Sequence, residues 1–239
     1  MWDNPRQLNA VASLLLALLA VALAWTALQL LLRSPLFPLR EVTVLGALGH
    51  TTRAEVERAA AGQLSANFFA ADLPRLRAAL ERLPWVRRVE LRRIWPDRIE
   101  VRLEEHVALA RWGDAGLVNT HGEPFAAHAG SGAALPLFAG PAGSASEVAR
   151  RYRRFAELVA PLGEVPERVI LTPRHAWQLR LASGLSLELG RDGAQTVEQR
   201  LARFVAAWPE SIARLPRRPE HVDLRYPNGF ALHVPEWSG

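Results

Sequence analysis

An uncharged segment near the N-terminus limits what this chain can fold into more than any other feature. No charged residue lies between Arg6 and Arg33, and residues 10–32 form an almost continuous apolar run. A helix rises about 1.5 Å per residue, so this run is roughly 35 Å long as a helix, enough to cross a hydrocarbon core of about 30 Å. A core helix would keep a polar face, and the apolar part of a cleaved signal peptide is usually about 7–15 residues. The segment therefore predicts an uncleaved transmembrane helix at 10–32, after a short tail at 1–9.

The charges that flank this segment do not determine its orientation. Asp3 and Arg6 precede it, while Arg33, Arg40 and Glu41 follow it. Cytoplasmic flanks usually carry an excess of basic residues, and here the count does not favour a cytoplasmic N-terminus and leans slightly the other way. Both orientations therefore remain open from the residues alone.

The composition narrows the classes of function. The net charge is +5, and all 29 basic residues are arginines, many of which alternate with glutamates. Such alternation is typical of a solvated strand or helix face and disfavours nucleic-acid binding. The chain has no cysteine, which excludes disulfides, thiolate metal sites and a cysteine nucleophile.

After the apolar segment, the pattern predicts a strand, two helices and two strands. Apolar and polar residues alternate at 41–45, which predicts the first strand. Thr52 with Glu55 predicts a capping box for a helix reaching about Leu64, and Asp72 predicts the cap of the next helix. The core face of that second helix and of the two following strands is predicted to consist of Leu73, Leu76, Leu80, Leu83, Val89, Leu91, Ile99, Val101 and Leu103.

The remainder, 107–239, predicts a second, mixed α/β domain. The stretch 126–146 is rich in Ala, Gly, Ser and Pro, and predicts a surface loop with one edge strand at 135–138. Ser144 with Glu147 predicts another capping box, followed by an amphipathic helix.

Two hairpins and one helix complete this second domain. Alternating apolar runs on both sides of Ser183-Gly184 predict the first hairpin. A helix follows and ends at Pro209. The final hairpin turns at Asn228-Gly229, with strands that include Tyr226 and Phe230. The fold class is therefore α+β, with one transmembrane helix, a small β-α-α-β-β domain and a second domain that ends in a β-hairpin.

No pattern in the chain predicts catalysis. The seven histidines include no spacing typical of a zinc protease, and neither a nucleophile elbow nor a phosphate-binding glycine loop is present. His121 and Glu123 lie in a predicted turn, and Glu104-Glu105 follows a strand and is expected to be solvated. We therefore expect a non-enzymatic protein with no catalytic residues, no metal site and no cofactor.

The terminal hairpin is the best candidate for a surface that binds another protein. It supplies an edge strand, whose free N–H and C=O groups can accept a strand from another chain. Arg225, Tyr226 and Phe230 lie beside it, and these residue types are enriched where interface energy concentrates. The alternative is that Tyr226 and Phe230 are ordinary sheet residues.

Several segments, taken in order, resemble one protein family. They are Phe37-Pro38-Leu39-Arg40-Glu41-Val42, Leu83-Pro84-Trp85-Val86-Arg87-Arg88-Val89, Trp95-Pro96-Asp97-Arg98-Ile99, Leu117-Val118-Asn119-Thr120-His121-Gly122, Leu187-Glu188-Leu189-Gly190-Arg191, Arg200-Leu201-Ala202-Arg203-Phe204 and Val222-Asp223-Leu224-Arg225-Tyr226. The region 37–106 resembles a POTRA domain. The whole collinear set is similar to the FtsQ/DivIB family of bacterial cell-division proteins, which usually has an acidic residue in place of Asn119.

The resemblance implies a role, partners and site residues. It implies a non-catalytic divisome scaffold of the inner membrane, single-pass and type II, with a periplasmic C-terminal part, found at the division septum. It implies binding to FtsB and FtsL through the last strands, and a link between early cytoplasmic division proteins and late septal wall synthesis. Other divisome proteins are expected to contact the POTRA domain and the membrane segment. The implied partner-binding residues are Arg174, Arg225, Tyr226, Asn228 and Gly229, and the neighbouring Phe230 is included with them.

Two other classes stay open beside this one. A POTRA-containing transport or outer-membrane assembly factor would bind client polypeptides, but such proteins usually carry repeated POTRA units or a β-barrel. An anchored envelope hydrolase would need a nucleophile or a metal set, and the sequence offers no recognisable one.

Overall fold

A computed structural model of the protein describes residues 5–32, 37–64, 67–114, 116–130, 134–215 and 217–234. The chain divides into two compact units, Met1–Glu105 and His106–Gly239. We call them the first and second unit and describe each by itself. The first four residues of the predicted tail lie outside the described residues.

The N-terminal apolar segment is a single helix, as predicted. Helix α1 is Pro5–Leu32, so it begins within the predicted tail rather than at residue 10. Pro5 suits the first helical position because the first N–H groups of a helix have no intrahelical partner. The stretch Asn9–Leu30 is long and apolar enough to cross a membrane, and none of its most apolar window is buried in the structure.

The rest of the first unit has the predicted order of elements. Its strands are β1 (Glu41–Leu45), β2 (Val86–Ile94) and β3 (Arg98–Glu105), and its helices are α2 (Arg53–Ala60) and α3 (Leu73–Leu80). Strand β3 lies in the middle of the sheet, parallel to β1 and antiparallel to β2. The predicted core stripe is confirmed at its centre, since Leu76, Leu80 and Ile99 are fully buried.

Local side-chain bonds fix the ends of these helices. Thr52 and Glu55 form the predicted capping box, and Asp72 accepts a hydrogen bond from the Arg75 N–H. Helix α2 ends at Ala60, one turn before the predicted Leu64.

Glu105 corrects the expectation that the Glu104-Glu105 pair is solvated. Glu104 is half exposed and pairs with Arg87 at 2.6 Å. The Glu105 side chain, however, is 9% exposed and accepts hydrogen bonds from the backbone N–H groups of Gly49 and Thr51 at 2.9 and 2.7 Å. Burial alone would raise the pKa of Glu105, but these hydrogen bonds outweigh it and hold the pKa below its usual value. This carboxylate therefore fixes the loop between β1 and α2.

The second unit is one layer of helices on a large mixed sheet. Its elements are β4 (Ala108–Trp112), β5 (Gly116–Asn119), β6 (Pro124–Phe125), β7 (Leu137–Ala139), α4 (Ala145–Val159), β8 (Pro166–Leu171), β9 (Trp177–Leu181), β10 (Ser186–Gly190), α5 (Val197–Ala207), β11 (His221–Asp223) and β12 (Ala231–His233). The sheet order is β12-β11-β10-β9-β8-β7-β4-β5-β6. Phe155 of α4 and Phe204 of α5 are fully buried in the core that also contains Trp177 and Val222. The predicted hairpin around Ser183-Gly184 is confirmed as β9–β10.

Two predictions in the Ala-, Gly- and Ser-rich stretch are wrong. The predicted edge strand is β7, which lies inside the sheet, parallel to both β4 and β8, and buries Phe138 completely. Ser144 is the N-cap of α4 but makes no side-chain cap bond, because its hydroxyl donates to the Pro141 carbonyl at 2.7 Å instead.

Candidate partner-binding surface

The sheet topology brings Arg174 and Arg225 to the same end of the second unit. Arg174 is exposed in the turn between β8 and β9, directly before Trp177. Trp177 pairs with Gly190 at the end of β10, and β11 runs parallel to β10. The end of β11 therefore lies at the same end of the sheet as the Arg174 turn. The Arg225 side chain passes directly over Gly190, where a Cβ atom would lie 2.8 Å from Arg225 Cγ.

Strand β12 is the edge of the sheet among the residues that the structure describes. The Leu224 N–H donates to the Glu188 carbonyl in β10 at 2.9 Å. Because backbone groups alternate in direction along a strand, those of His221 and Asp223 point the other way, toward β12. In an antiparallel pair a residue directs its N–H and C=O to the same side. The partners of His221 and Asp223 in β12 are His233 and Ala231. Leu232 lies between these two, so its N–H and C=O point away from β11, to the open side. This edge can accept an additional strand.

Arg225 has a partner within its own chain. Its Nε donates to Asp223 Oδ1 at 2.9 Å and its Nη2 donates to Asp223 Oδ2 at 2.6 Å. The Arg225 guanidinium holds the pKa of the Asp223 carboxyl below its usual range. Asp223 is 13% exposed whereas Arg225 is 62% exposed. The pair therefore fixes the arginine in place, while most of its side chain remains exposed and can meet a second carboxylate.

Tyr226 presents its ring to solvent. It is 54% exposed, and its backbone carbonyl is fixed by a hydrogen bond from Arg203 Nη2 at 2.8 Å. The prediction that Tyr226 lies within a strand is wrong, because β11 ends at Asp223. An exposed tyrosine on a fixed backbone is the arrangement expected of a contact residue rather than of an ordinary core residue.

Arg203 on α5 is a residue that the sequence analysis missed. Besides the Tyr226 carbonyl, it donates through Nη1 to the Pro227 carbonyl, and its guanidinium lies 5.4 Å from the centre of the Phe230 ring. Nη1 also donates to Gln195 Oε1 at 3.1 Å. One side chain thus holds both sides of the loop that joins β11 and β12. Its only signal in the sequence is its place in one of the segments that carry the family resemblance, since a lone arginine on a helix is typical of a solvated face.

The turn at Asn228-Gly229 differs from the tight hairpin that was predicted. Neither Asn228 nor Gly229 has a positive φ, so the two-residue turn typical of Asn-Gly is not formed. Instead, residues 224–230 form a longer connection between β11 and β12. Asn228 is exposed in this connection, and a Cβ atom at Gly229 would meet no atom within 4 Å. Both residues therefore leave open space around them at the loop tip.

Phe230 is mainly a packing residue. It is half-buried, packs against the core of the second unit and lies edge-on to Phe204 with ring centres 5.7 Å apart. Its contact with Arg203 fixes the return of the loop toward β12. For Phe230, the structure favours the alternative of an ordinary sheet-associated residue over a direct contact.

Taken together, these residues form a corner surface, defined by Arg174, Arg225, Tyr226, Asn228 and the edge strand β12. Its exposed charges are arginines, and its backbone edge is open along Leu232. Such a surface suits an extended segment that carries carboxylates. Among the described residues, no group of three or more His, Asp or Glu side chains is arranged to hold a metal ion.

The fold and this surface define a class of protein, namely a POTRA-type module behind an apolar N-terminal helix, followed by a β-rich domain with an open terminal edge. Comparisons with known proteins agree. Residues 37–106 match the model described as "POTRA domain, FtsQ-type", and residues 110–225 match "Cell division protein FtsQ/DivIB, C-terminal". The chain belongs to the FtsQ/DivIB family of cell division proteins.

Similar proteins extend over almost the full chain. The cell division protein FtsQ of Burkholderia pseudomallei is 46% identical, covering 98% of this chain and 94% of the relative. That of Nitrosospira multiformis is 42% identical over 97% of this chain and 98% of the relative. That of Bordetella pertussis is 37% identical over 97% of this chain and 92% of the relative. The prediction of the family from sequence segments is thereby confirmed, and with it a role in cell division.

Proposed function

We propose that this protein is a non-catalytic scaffold of the divisome that binds FtsB and FtsL at the corner surface. The observation that carries the proposal is the open edge β12 beside a fixed pair of contact residues, Arg225 and Tyr226. A segment of FtsB adds to the edge as a further strand, and its carboxylates pair with Arg174 and Arg225. By recruiting these partners, the protein links early cytoplasmic division proteins to late septal wall synthesis.

The apolar helix α1 and the family membership support the following proposed arrangement in the membrane. Residues 1–9 lie in the cytoplasm, 10–32 cross the inner membrane, 37–106 form the POTRA domain and 107–239 form the second domain in the periplasm. The protein is thus single-pass, type II, and located at the division septum. Other divisome proteins contact the POTRA domain and the membrane segment. Alkaline phosphatase fused after Gly239 tests this topology, since it is active only in the periplasm, and an inactive fusion would reverse the arrangement.

Binding is tested by titrating the full chain in detergent with the periplasmic FtsB–FtsL segment. Tyr226→Ala should weaken binding by about 2 kcal/mol, roughly thirty-fold, because a large rigid contact is lost at the centre of the surface. Since the ring is 54% exposed, the melting temperature should remain close to that of the wild type. Val165→Ala is the control, because it truncates an apolar side chain that is 60% exposed at the opposite end of the same sheet, just before β8.

The charge contribution is tested by Arg174→Glu. It should weaken binding, and the loss should be larger at low salt, where charges are less screened. Arg154→Glu makes the same charge change on α4 and should leave the affinity unchanged. Full affinity in both Tyr226→Ala and Arg174→Glu, with intact melts, would move the partner site away from the corner surface.

A further inference from the structure

The first unit carries an exposed aromatic tip on its β2–β3 hairpin. Trp95 is 75% exposed, the largest exposed fraction among the large apolar side chains that the structure describes. Its neighbour Ile94 is 40% exposed at the end of β2. Along the same outer face of this strand, Glu90 and Arg92 precede Ile94. The polar face of the hairpin therefore ends in two apolar side chains that the first unit does not cover.

This tip lies at the end of the sheet where the chain enters from α1. The Arg40 N–H, just before β1, donates to the Asp97 carbonyl in the hairpin turn at 2.9 Å. Because β1 and β3 are parallel, both begin at this end, and both finish at the opposite end. Phe37, three positions before Arg40, is held against the segment before α3: its carbonyl accepts from the Phe68 N–H at 2.9 Å and its ring lies 5.1 Å from that of Phe69.

The tether to α1 is short. Helix α1 ends at Leu32, and Phe37 follows five positions later. Five fully extended residues span at most about 18 Å. Arg40, whose N–H is bonded to the hairpin turn, follows Leu32 by eight positions, so the turn stays within about 30 Å of the end of α1.

The charges around the tip match an anionic surface. Four arginines lie near it against three acids, an excess of one positive charge. The arginines are Arg40, Arg92, Arg93 and Arg98, and the acids are Glu41, Asp97 and Glu100, which lies opposite Arg92. Arg40 is 72% exposed and lies 3.8 Å from Asp97, and Arg98 is 51% exposed and lies 3.1 Å from Glu41. Tryptophan is enriched at the headgroup level of membranes, and arginines near a membrane are attracted to anionic lipids.

We infer that the Ile94–Trp95 tip and its surrounding arginines form a membrane-binding surface, which contacts the anionic headgroup layer beside α1. The inference rests on the proposed insertion of α1 in the membrane, but not on the proposed binding of FtsB. The first unit then contacts the membrane at two points, α1 and the tip, rather than through α1 alone. Strand β3 has eight residues, which extend it about 26 Å from the tip to Glu105, where the first unit ends. The contact thus sets the orientation and height at which the chain leaves the first unit.

The absence of cysteine makes a clean labelling test possible. A single cysteine is introduced at Ile94→Cys, with Leu45→Cys as the matched control, because Leu45 is 38% exposed at the opposite end of the sheet. The full chain carrying an environment-sensitive fluorophore at that cysteine is reconstituted in phosphatidylglycerol–phosphatidylethanolamine vesicles. The label at 94 should shift its emission to the blue and lose quenching by aqueous iodide, while the label at 45 should show neither change.

Additional variants and lipids distinguish membrane contact from other ways in which the label at position 94 could be protected. Trp95→Ser in the Ile94→Cys background should restore quenching, and phosphatidylcholine vesicles should give weaker protection than anionic ones. A label at 94 that stays as accessible as the label at 45 would overturn the inference. So would protection that also occurs in detergent or that rises with the number of copies per vesicle, since a second copy would then cover the tip. A chain that fails to float with the vesicles would instead contradict the insertion of α1.

Discussion

Arg203 offers the sharpest test of how the corner surface is built. Arg203→Met keeps the aliphatic stem and removes the guanidinium, which holds the Tyr226 and Pro227 carbonyls and the Phe230 ring. Each hydrogen bond contributes about 1 kcal/mol net and the contact with the ring about 0.5–1 kcal/mol. The loop that these three contacts close, residues 224–230, therefore loses about 2–3 kcal/mol of its preference for the observed conformation.

The affinity for the FtsB–FtsL segment should fall with the population of the closed loop. A loss of about 2–3 kcal/mol shifts the closing equilibrium about 30- to 150-fold, so the apparent affinity falls by up to that factor, and about tenfold where one molecule in ten keeps a closed loop. The assay is a titration of wild type and variant, together with amide hydrogen exchange of residues 224–230 in the free protein. Arg153→Met is the control, since Arg153 donates to the Thr120 carbonyl, away from the corner surface.

A variant whose loop exchanges faster but whose affinity is unchanged would show that binding does not need a closed loop. The role of Arg203 would also be refuted if Arg153→Met and Arg203→Met weakened binding equally. Faster exchange, weaker binding and a melting temperature close to that of the control would support this role.

Three further predictions concern stability. Leu80→Ala should lower the free energy of unfolding in urea by about 2–5 kcal/mol, because Leu80 is fully buried and its truncation leaves a cavity. Asn119→Asp should lower the free energy of unfolding by about 1–3 kcal/mol at pH 7, because the Asn119 amide donates to Glu123 at 2.6 Å and a carboxylate in its place would repel the Glu123 carboxylate. Adding Glu123→Gln should recover most of this loss. The Asp223–Arg225 pair should be insensitive to mild acid: since the pKa of Asp223 lies below 3.8, the stability difference between wild type and Asp223→Asn should stay constant from pH 7 to pH 5 and shrink only below pH 3.8.

The features that the sequence predicts well are those that depend on neighbouring residues. The capping box of Thr52 and Glu55 and the alternation of Ile99, Val101 and Leu103 are local patterns, and the structure contains both. Their partners lie within a few positions along the chain, or on one face of a single strand. The order of elements in the first unit follows from such patterns alone.

The features that the sequence predicts poorly depend on contacts from far along the chain. Strand β7 is short and bordered by Gly and Pro, so it resembles an edge strand; only its pairing with β4 and β8 makes it central. The connection between β11 and β12 is set by Arg203, which lies 24 positions before Pro227. The tight turn that Asn-Gly favours is not formed there, because Arg203 of α5 donates hydrogen bonds to the Tyr226 and Pro227 carbonyls.

The site residues divide in the same way. Arg174 and Tyr226 are exposed, as contact residues must be, and the family resemblance was needed to select them among many exposed side chains. The internal pairing of Arg225 with Asp223 depends on the geometry at the end of β11, which alternation alone does not reveal.

Hydrogen exchange at a single amide tests whether a partner strand adds to β12. The Leu232 N–H points to the open side of β12, whereas Ala231 and His233 face β11. With saturating FtsB–FtsL segment, the Leu232 amide should become strongly protected, because an added strand would accept its hydrogen bond. The amides of Ala231 and His233 should change much less. Tight binding with no added protection at Leu232 would show that the partner binds elsewhere than along this edge.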